Sequence, residues 1–200
     1  MFRTKTVGIF TREDAEVYKW LTDCLLDLSC VKNTESFPIS NSNWSFKEDV
    51  NKCTFAILYH SQTRGRINVT DVTDSLYDKE LDYLSNTLGK SNVIVIIDNL
   101  DDSNDNAKER IQSEQKSIKE KAAGLFLFSK NDTNTYLKNL LEIEQLIKRS
   151  FQITDPPYRF QTETATLGCW LKSMPFLGLT ALVLFYILGV LYYNIKCIPW

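Results

Sequence analysis

Val93-Ile94-Val95-Ile96-Ile97 is a run of five β-branched aliphatic residues, too short for a helix of any substance and apolar on both sides. A strand reading of this kind requires cover on both faces of its sheet, because alternate side chains point opposite ways. Upstream, Thr54-Phe55-Ala56-Ile57-Leu58-Tyr59 repeats the pattern, and downstream Leu125-Phe126-Leu127-Phe128 does so again. Asp98-Asn99-Leu100-Asp101-Asp102 reads as a polar turn at the end of the central run.

Working outward, helical periodicity alternates with these strands. Leu76, Leu81, Leu84 and Leu88 form an apolar stripe that closes at Gly89, and a highly charged helix is expected over about 106 to 122. Tyr136 to Lys148 carries Leu137, Leu140, Leu141, Leu146 and Ile147 at helical spacing. Toward the front, Thr6 to Phe10 reads as a strand, followed by Thr11 as a helix N-cap with Asp14 three positions on. The helix it would open carries Tyr18, Leu21, Leu25 and Leu28, with Trp20 and Cys24 alongside. Val31 to Phe37 reads as a weak edge strand ended by Pro38, and Trp44, Phe46 and Val50 mark a short helix. Five strands alternating with five helices predict an α/β fold, a flavodoxin-like three-layer sandwich with a five-stranded parallel sheet. This domain is expected over residues 1–150.

Beyond it, Gln152 to Thr166 holds Pro156-Pro157 and several threonines without periodicity, so 151–172 reads as a linker. Ser173 to Ile195 is then uncharged and mostly apolar. Its 23 residues at about 1.5 Å each would cross a hydrocarbon core about 30 Å thick. Trp170 and Lys172 before it, and Tyr192, Tyr193, Lys196 and Trp200 at its far end, suit the headgroup zone. The expectation is one C-terminal transmembrane helix at 173–195 with a short tail at 196–200. The first twenty residues meet an acidic cluster before any long apolar stretch, so no secretory signal is expected there. Together these predict a single-pass tail anchor with the N-terminal domain in the cytosol. One lysine after a long apolar span slightly favours the endoplasmic reticulum over the mitochondrial outer membrane.

Charge excludes one class of partner. The 23 basic and 25 acidic residues are spread along the chain, giving a net charge of −2 with no basic block, so no nucleic acid is expected. Cys24, Cys30, Cys53, Cys169 and Cys197 show no paired metal spacing; the first three read as reduced structural thiols. Cys169 and Cys197 bracket the apolar span, where acylation would fit.

Ligands of open parallel sheets gather at the C-terminal strand ends. Gly89-Lys90-Ser91 resembles the end of a phosphate loop, but Leu84 stands where its glycine belongs, and no G-x-G-x-x-G occurs. His60, at the end of a central strand, takes the place where a phospho-accepting aspartate would stand. The loop Arg64-Gly65-Arg66 could bind an anionic ligand or lipid headgroups, and Asp98 is a further candidate binding residue; solvated loop arginines are the plainer reading. No metal site and no cofactor are expected.

The order of features resembles a Toll/interleukin-receptor (TIR) domain over about residues 5 to 150. Glu13-Asp14 and Trp20 follow the first strand, and Phe46 to His60 (FKEDVNKCTFAILYH) is similar to the family's helix-then-strand segment. Leu76-Tyr77-Asp78-Lys79-Glu80-Leu81 resembles its aromatic-x-x-x-Glu-Leu signature. The family's Arg-Asp-x-x-Pro-Gly turn is replaced by Phe37-Pro38-Ile39-Ser40-Asn41-Ser42-Asn43, which alters the surface such domains use to associate. Joined to the apolar span at 173–195, the resemblance implies a membrane-tethered cytosolic interaction module of signalling type, with protein partners and scope for self-association. Its alternative implication is an NAD-cleaving hydrolase in which Glu80 would stabilise the charge that develops as nicotinamide leaves. The plain reading of Glu80 is a solvated helix residue.

Overall fold

The computed structural model describes residues 4–40, 45–130 and 132–153. The chain divides into Met1–Thr154 and Asp155–Trp200, and the second unit, with the expected span at 173–195, lies outside the described residues. Among the described residues no helix is long and apolar enough to cross a membrane.

Five strands form one sheet: β1 (Lys5–Thr11), β2 (Val31–Pro38), β3 (Phe55–Ser61), β4 (Val93–Leu100) and β5 (Gly124–Ser129). All neighbours pair in parallel, in the order β2-β1-β3-β4-β5. The chain therefore winds first to one side of β1 and then to the other, which is the flavodoxin-like arrangement. Among the described residues five α-helices lie between the strands, α1 (Lys19–Leu26), α2 (Phe46–Val50), α3 (Asp78–Leu88), α4 (Asp105–Glu114) and α5 (Lys116–Lys121), and α6 (Thr133–Ile153) follows β5.

The pleat divides the core in two. Val93, Val95 and Ile97 face a layer holding Val50, Leu81, Leu84, Ile111 and Ile118, from α2 to α5. Ile94 and Ile96 face Leu21, Leu25, Ile143 and Ile147, from α1 and α6. Every residue of β3 is buried, as expected for a strand with neighbours on both sides and helices on both faces. β2 exposes most of its polar residues, consistent with its place at the sheet edge.

Several expectations are corrected. Thr11 is the last residue of β1 and caps no helix; its hydroxyl accepts the Glu13 N–H at 3.0 Å. Asp14 precedes a single 3-10 turn, Ala15–Val17, without a side-chain cap, and α1 starts only at Lys19. Leu76 lies outside α3, which begins at Asp78. The charged segment forms two helices separated by Gln115. Asp98-Asn99-Leu100 continues β4 instead of turning, with a register shift against β5 and Asn99 at φ 62°. α6 runs to Ile153, so this helix takes in the first residues expected in the linker, and Phe151 packs on the α1/α6 side of the core. Trp44 lies outside the described residues.

Candidate functional site

The C-terminal strand ends carry a chain of charges that neutralises itself. Arg12 follows β1 directly and crosses to α3, where its Nη2 meets Glu80 Oε1 at 3.2 Å. Its Nε donates to the Leu76 carbonyl at 3.3 Å, and the guanidinium lies 5.7 Å from the centre of the Tyr77 ring. Glu13, the next residue, turns the other way. Its buried carboxylate pairs with Arg64 Nε at 2.9 Å and accepts the Ser61 N–H at 3.4 Å. Arg64 also donates to the Arg12 carbonyl. It is positioned by a 3-10 turn, Gln62–Arg64, which Ser61 caps through its hydroxyl and which ends at Gly65 with φ 105°.

Glu80 is thus no solvated helix residue: its side chain is 9% exposed and ion-paired. It stands between two hollows. One, of about 270 Å³, is polar and includes Arg12, Ser40, Ser75 and Lys79. The other, of about 150 Å³, includes Phe46 and Tyr83. Arg64 is likewise held in place, whereas Arg66 pairs with Asp74 at 3.3 Å with both side chains about three-quarters exposed. Such an exposed pair contributes little stability.

His60 sits beneath this loop and is fully buried. Its Nε2 lies 3.1 Å from the Arg66 carbonyl, which assigns the proton to that nitrogen. Its Nδ1 is buried without a hydrogen-bond partner among the described residues, and its ring meets that of Tyr77 edge to face at 5.9 Å. Burial holds the imidazole below its ordinary pKa, with the Arg64 charge adding to that and the Arg66 carbonyl opposing it. Burial pushes the Tyr77 hydroxyl up to about 12. A neutral, enclosed ring of this kind is a packing element.

Asp98 belongs to a different part of the strand ends. Its Oδ2 accepts Tyr59 Oη–H at 2.5 Å and Trp20 Nε1–H at 2.9 Å. Burial, followed by the Asp98 charge, drives the Tyr59 pKa far upward, so the phenol stays a donor. Asp98 lines a cavity of about 520 Å³, with Trp20, Phe128 and Tyr136 as its aromatic wall.

The structure therefore joins Glu80 and Arg64 through Arg12, and separates Asp98 and Arg66 from them. Sequence reasoning missed Arg12 and Glu13 as a charge relay and Tyr59, Trp20 and Tyr136 as the surroundings of Asp98. The available signal was an Arg-Glu dipeptide directly after a strand end, the place where ligands and ion pairs collect. Among the described residues no cluster of metal-ligating side chains forms, and Cys24, Cys30 and Cys53 are free thiols. Comparison of the chain with protein-family models gave no match, and comparison with curated proteins gave none either.

Proposed function

We propose that this chain is a membrane-tethered interaction module of signalling type, whose α/β domain self-associates on the cytosolic face of the endoplasmic reticulum. The observation that carries this reading is an apolar ridge on α6: Leu137 and Leu141, one turn apart, are 59% and 60% exposed. Residues at i and i+4 share a helix face, so the two leucines form one contact rather than two scattered ones. A single isolated exposed leucine would call for no explanation.

Two side chains supply far less area than the roughly 1,200 Å² of a stable complex. Anchoring by the apolar run 173–195 answers this shortfall, because confinement to a surface raises the local concentration and makes weak contacts effective. The internal pairing of Arg12, Glu80, Glu13 and Arg64 supports the same reading, since those charges already hold the loops of the domain together.

The test compares the full chain with the Leu137→Ser/Leu141→Ser double variant, reconstituted in vesicles and crosslinked. The wild type should give dimers that the variant loses, with unchanged thermal unfolding. Equal crosslinking of both, or a full chain that alkaline carbonate removes from the vesicles, would sink the proposal.

One observation favours a second reading. Glu80 is buried beside a polar hollow that also reaches Arg12 on the β1 loop, as a carboxylate that stabilises a departing nicotinamide would need to be. Incubation of the full chain with NAD separates the two. The interaction reading expects no nicotinamide; release that disappears in Glu80→Ala would replace it with a hydrolase.

A further inference from the structure

We infer that the 520 Å³ cavity at the C-terminal ends of β4 and β5 is a binding site for an arylalkylamine, a small organic monocation with an aromatic body. The inference stands apart from the membrane tether and from Glu80, because it uses neither. Its volume lies inside the range of about 300–1,000 Å³ usual for small-ligand sites.

The wall comes first. Trp20 of α1, Phe128 of β5 and Tyr136 of α6 meet pairwise with centroids 5.0, 5.0 and 5.3 Å apart and interplanar angles of 58°, 46° and 76°. No two rings are parallel, so together they offer a continuous surface of faces and edges against which a planar ring can rest. The faces carry negative charge density and attract a cation.

The floor selects the charge. Asp98 receives three hydrogen bonds, from Tyr59 and Trp20 on Oδ2 and from the Asn99 N–H on Oδ1. A carboxylate has about four acceptor positions, which leaves one on Oδ1 for a donor arriving from the cavity. Those three donors also fix the carboxylate, so an ammonium meets a preorganised acceptor. Asp132 adds a second negative charge to the lining and is itself oriented by Thr135, whose N–H it accepts at 3.1 Å. Lys130 is the one cation among the described residues of the lining, and it lies exposed. Asp132 also borders a second hollow that holds Lys108 and Lys138, so the selection of a positive ligand over a neutral or anionic one rests on Asp98.

Strand register makes this arrangement. The shift between Ile97 and Leu100 in the β4/β5 pairing, with Asn99 at φ 62°, carries β4 past the point where a turn was expected. Bulges of this kind re-aim side chains at sheet rims. Here Asp98 is turned toward Trp20 and Tyr59.

The test titrates the full chain, with labelled indole nitrogens, with phenethylamine, 2-phenylethanol and phenylacetate. Phenethylamine should shift the Trp20 indole resonance, with 2-phenylethanol at least about tenfold weaker, as loss of a charge-assisted hydrogen bond requires, and phenylacetate silent. Asp98→Asn should abolish the shift. Because Asp98 also holds Tyr59, Lys130→Glu provides a variant that leaves the packing alone. It should tighten phenethylamine about threefold to tenfold, the effect of one rim charge acting through water. Equal binding of the alcohol, tighter binding of phenylacetate, or unchanged or weaker amine binding in Lys130→Glu would overturn the proposal. So would a silent Trp20 up to about 20 mM amine, about twice the Kd expected of a nine-atom ligand at modest ligand efficiency.

Discussion

Gln115 and Thr70, 45 residues apart, are joined by a buried hydrogen bond in which the Gln115 Oε1 accepts the Thr70 N–H at 2.9 Å. The same side chain donates from Nε2 to the Ile67 carbonyl at 2.9 Å. Gln115 is also the residue that separates α4 from α5, at φ −122° and ψ 69°. The residue at the break between the two helices therefore also ties down the long β3–α3 connection. Two positions on, Ser117 donates its N–H and hydroxyl to Asp71, and the Asp71 N–H donates to Asp78. The loop that carries Arg64 and Arg66 is thus anchored at its far end.

Gln115→Ala should destabilise the domain by about 1–3 kcal/mol, because it strands the buried Thr70 N–H away from water and takes the partner from the part-buried Ile67 carbonyl. The urea midpoint should fall accordingly. Limited proteolysis should cut between Gly65 and Tyr77 much sooner than in the wild type. An unchanged cleavage rate would show that the loop is held by something other than this amide.

Gly8 lies in β1 against the sheet's α2/α3 layer. A Cβ there would come within 2.8 Å of Cys53 Sγ, 2.8 Å of Phe10 Cε2 and 3.0 Å of Phe37 Cε2. Phe10 and Phe37 are themselves stacked at 4.9 Å, so neither ring can yield freely. Gly8→Ala should cost about 1–3 kcal/mol through overpacking, read as a lowered melting temperature. The paired change Gly8→Ala/Cys53→Ala should recover part of the loss by removing one of the three clashes.

His60 predicts a pH dependence. It is the only histidine of the chain, and its folded pKa is lowered by burial from 6.5. The unfolded state therefore binds more protons between the folded pKa and about 6.5, and stability rises with pH across that window. Melting temperature should fall as pH drops below about 6.5, before the carboxylates titrate. His60→Gln, which can still donate to the Arg66 carbonyl, should flatten the profile between pH 5 and 6.5. A wild-type profile that is already flat there would show that the ring is charged or hydrated in solution.

How far these features were visible beforehand differs with their range along the chain. The apolar runs around Ile57, Ile96 and Phe126 announce buried strands without any tertiary information, because burial on both faces leaves a continuous pattern. The edge position of β2 was legible from its polar residues and Pro38. The division at Gln115 was not, since glutamine is an ordinary helix former and its bonds reach back 45 and 48 residues. Asp98 looked like turn chemistry because it precedes Asn99, yet the left-handed Asn99 produces a bulge inside the strand. Thr11 misled in the same way: a hydroxyl able to cap a helix instead closes a two-residue turn after β1. Glu80 was placed correctly on α3, but its partner lies 68 residues away, beyond any local signal.

Arg12 and Glu80 should respond unequally to removal. Taking away Glu80 as Glu80→Gln leaves the Arg12 guanidinium with the Leu76 carbonyl, the Tyr77 ring and 18% exposure to water. Taking away Arg12 as Arg12→Met leaves a carboxylate only 9% exposed without its cation. An unpaired buried charge costs more than a lost pair. Arg12→Met is expected to destabilise by about 2–4 kcal/mol and Glu80→Gln by about 1 kcal/mol, discounted because the arginine is partly solvated. The double variant should be more stable than Arg12→Met alone. If instead Glu80→Gln proves the costlier change, the carboxylate is holding α3 through contacts other than this ion pair.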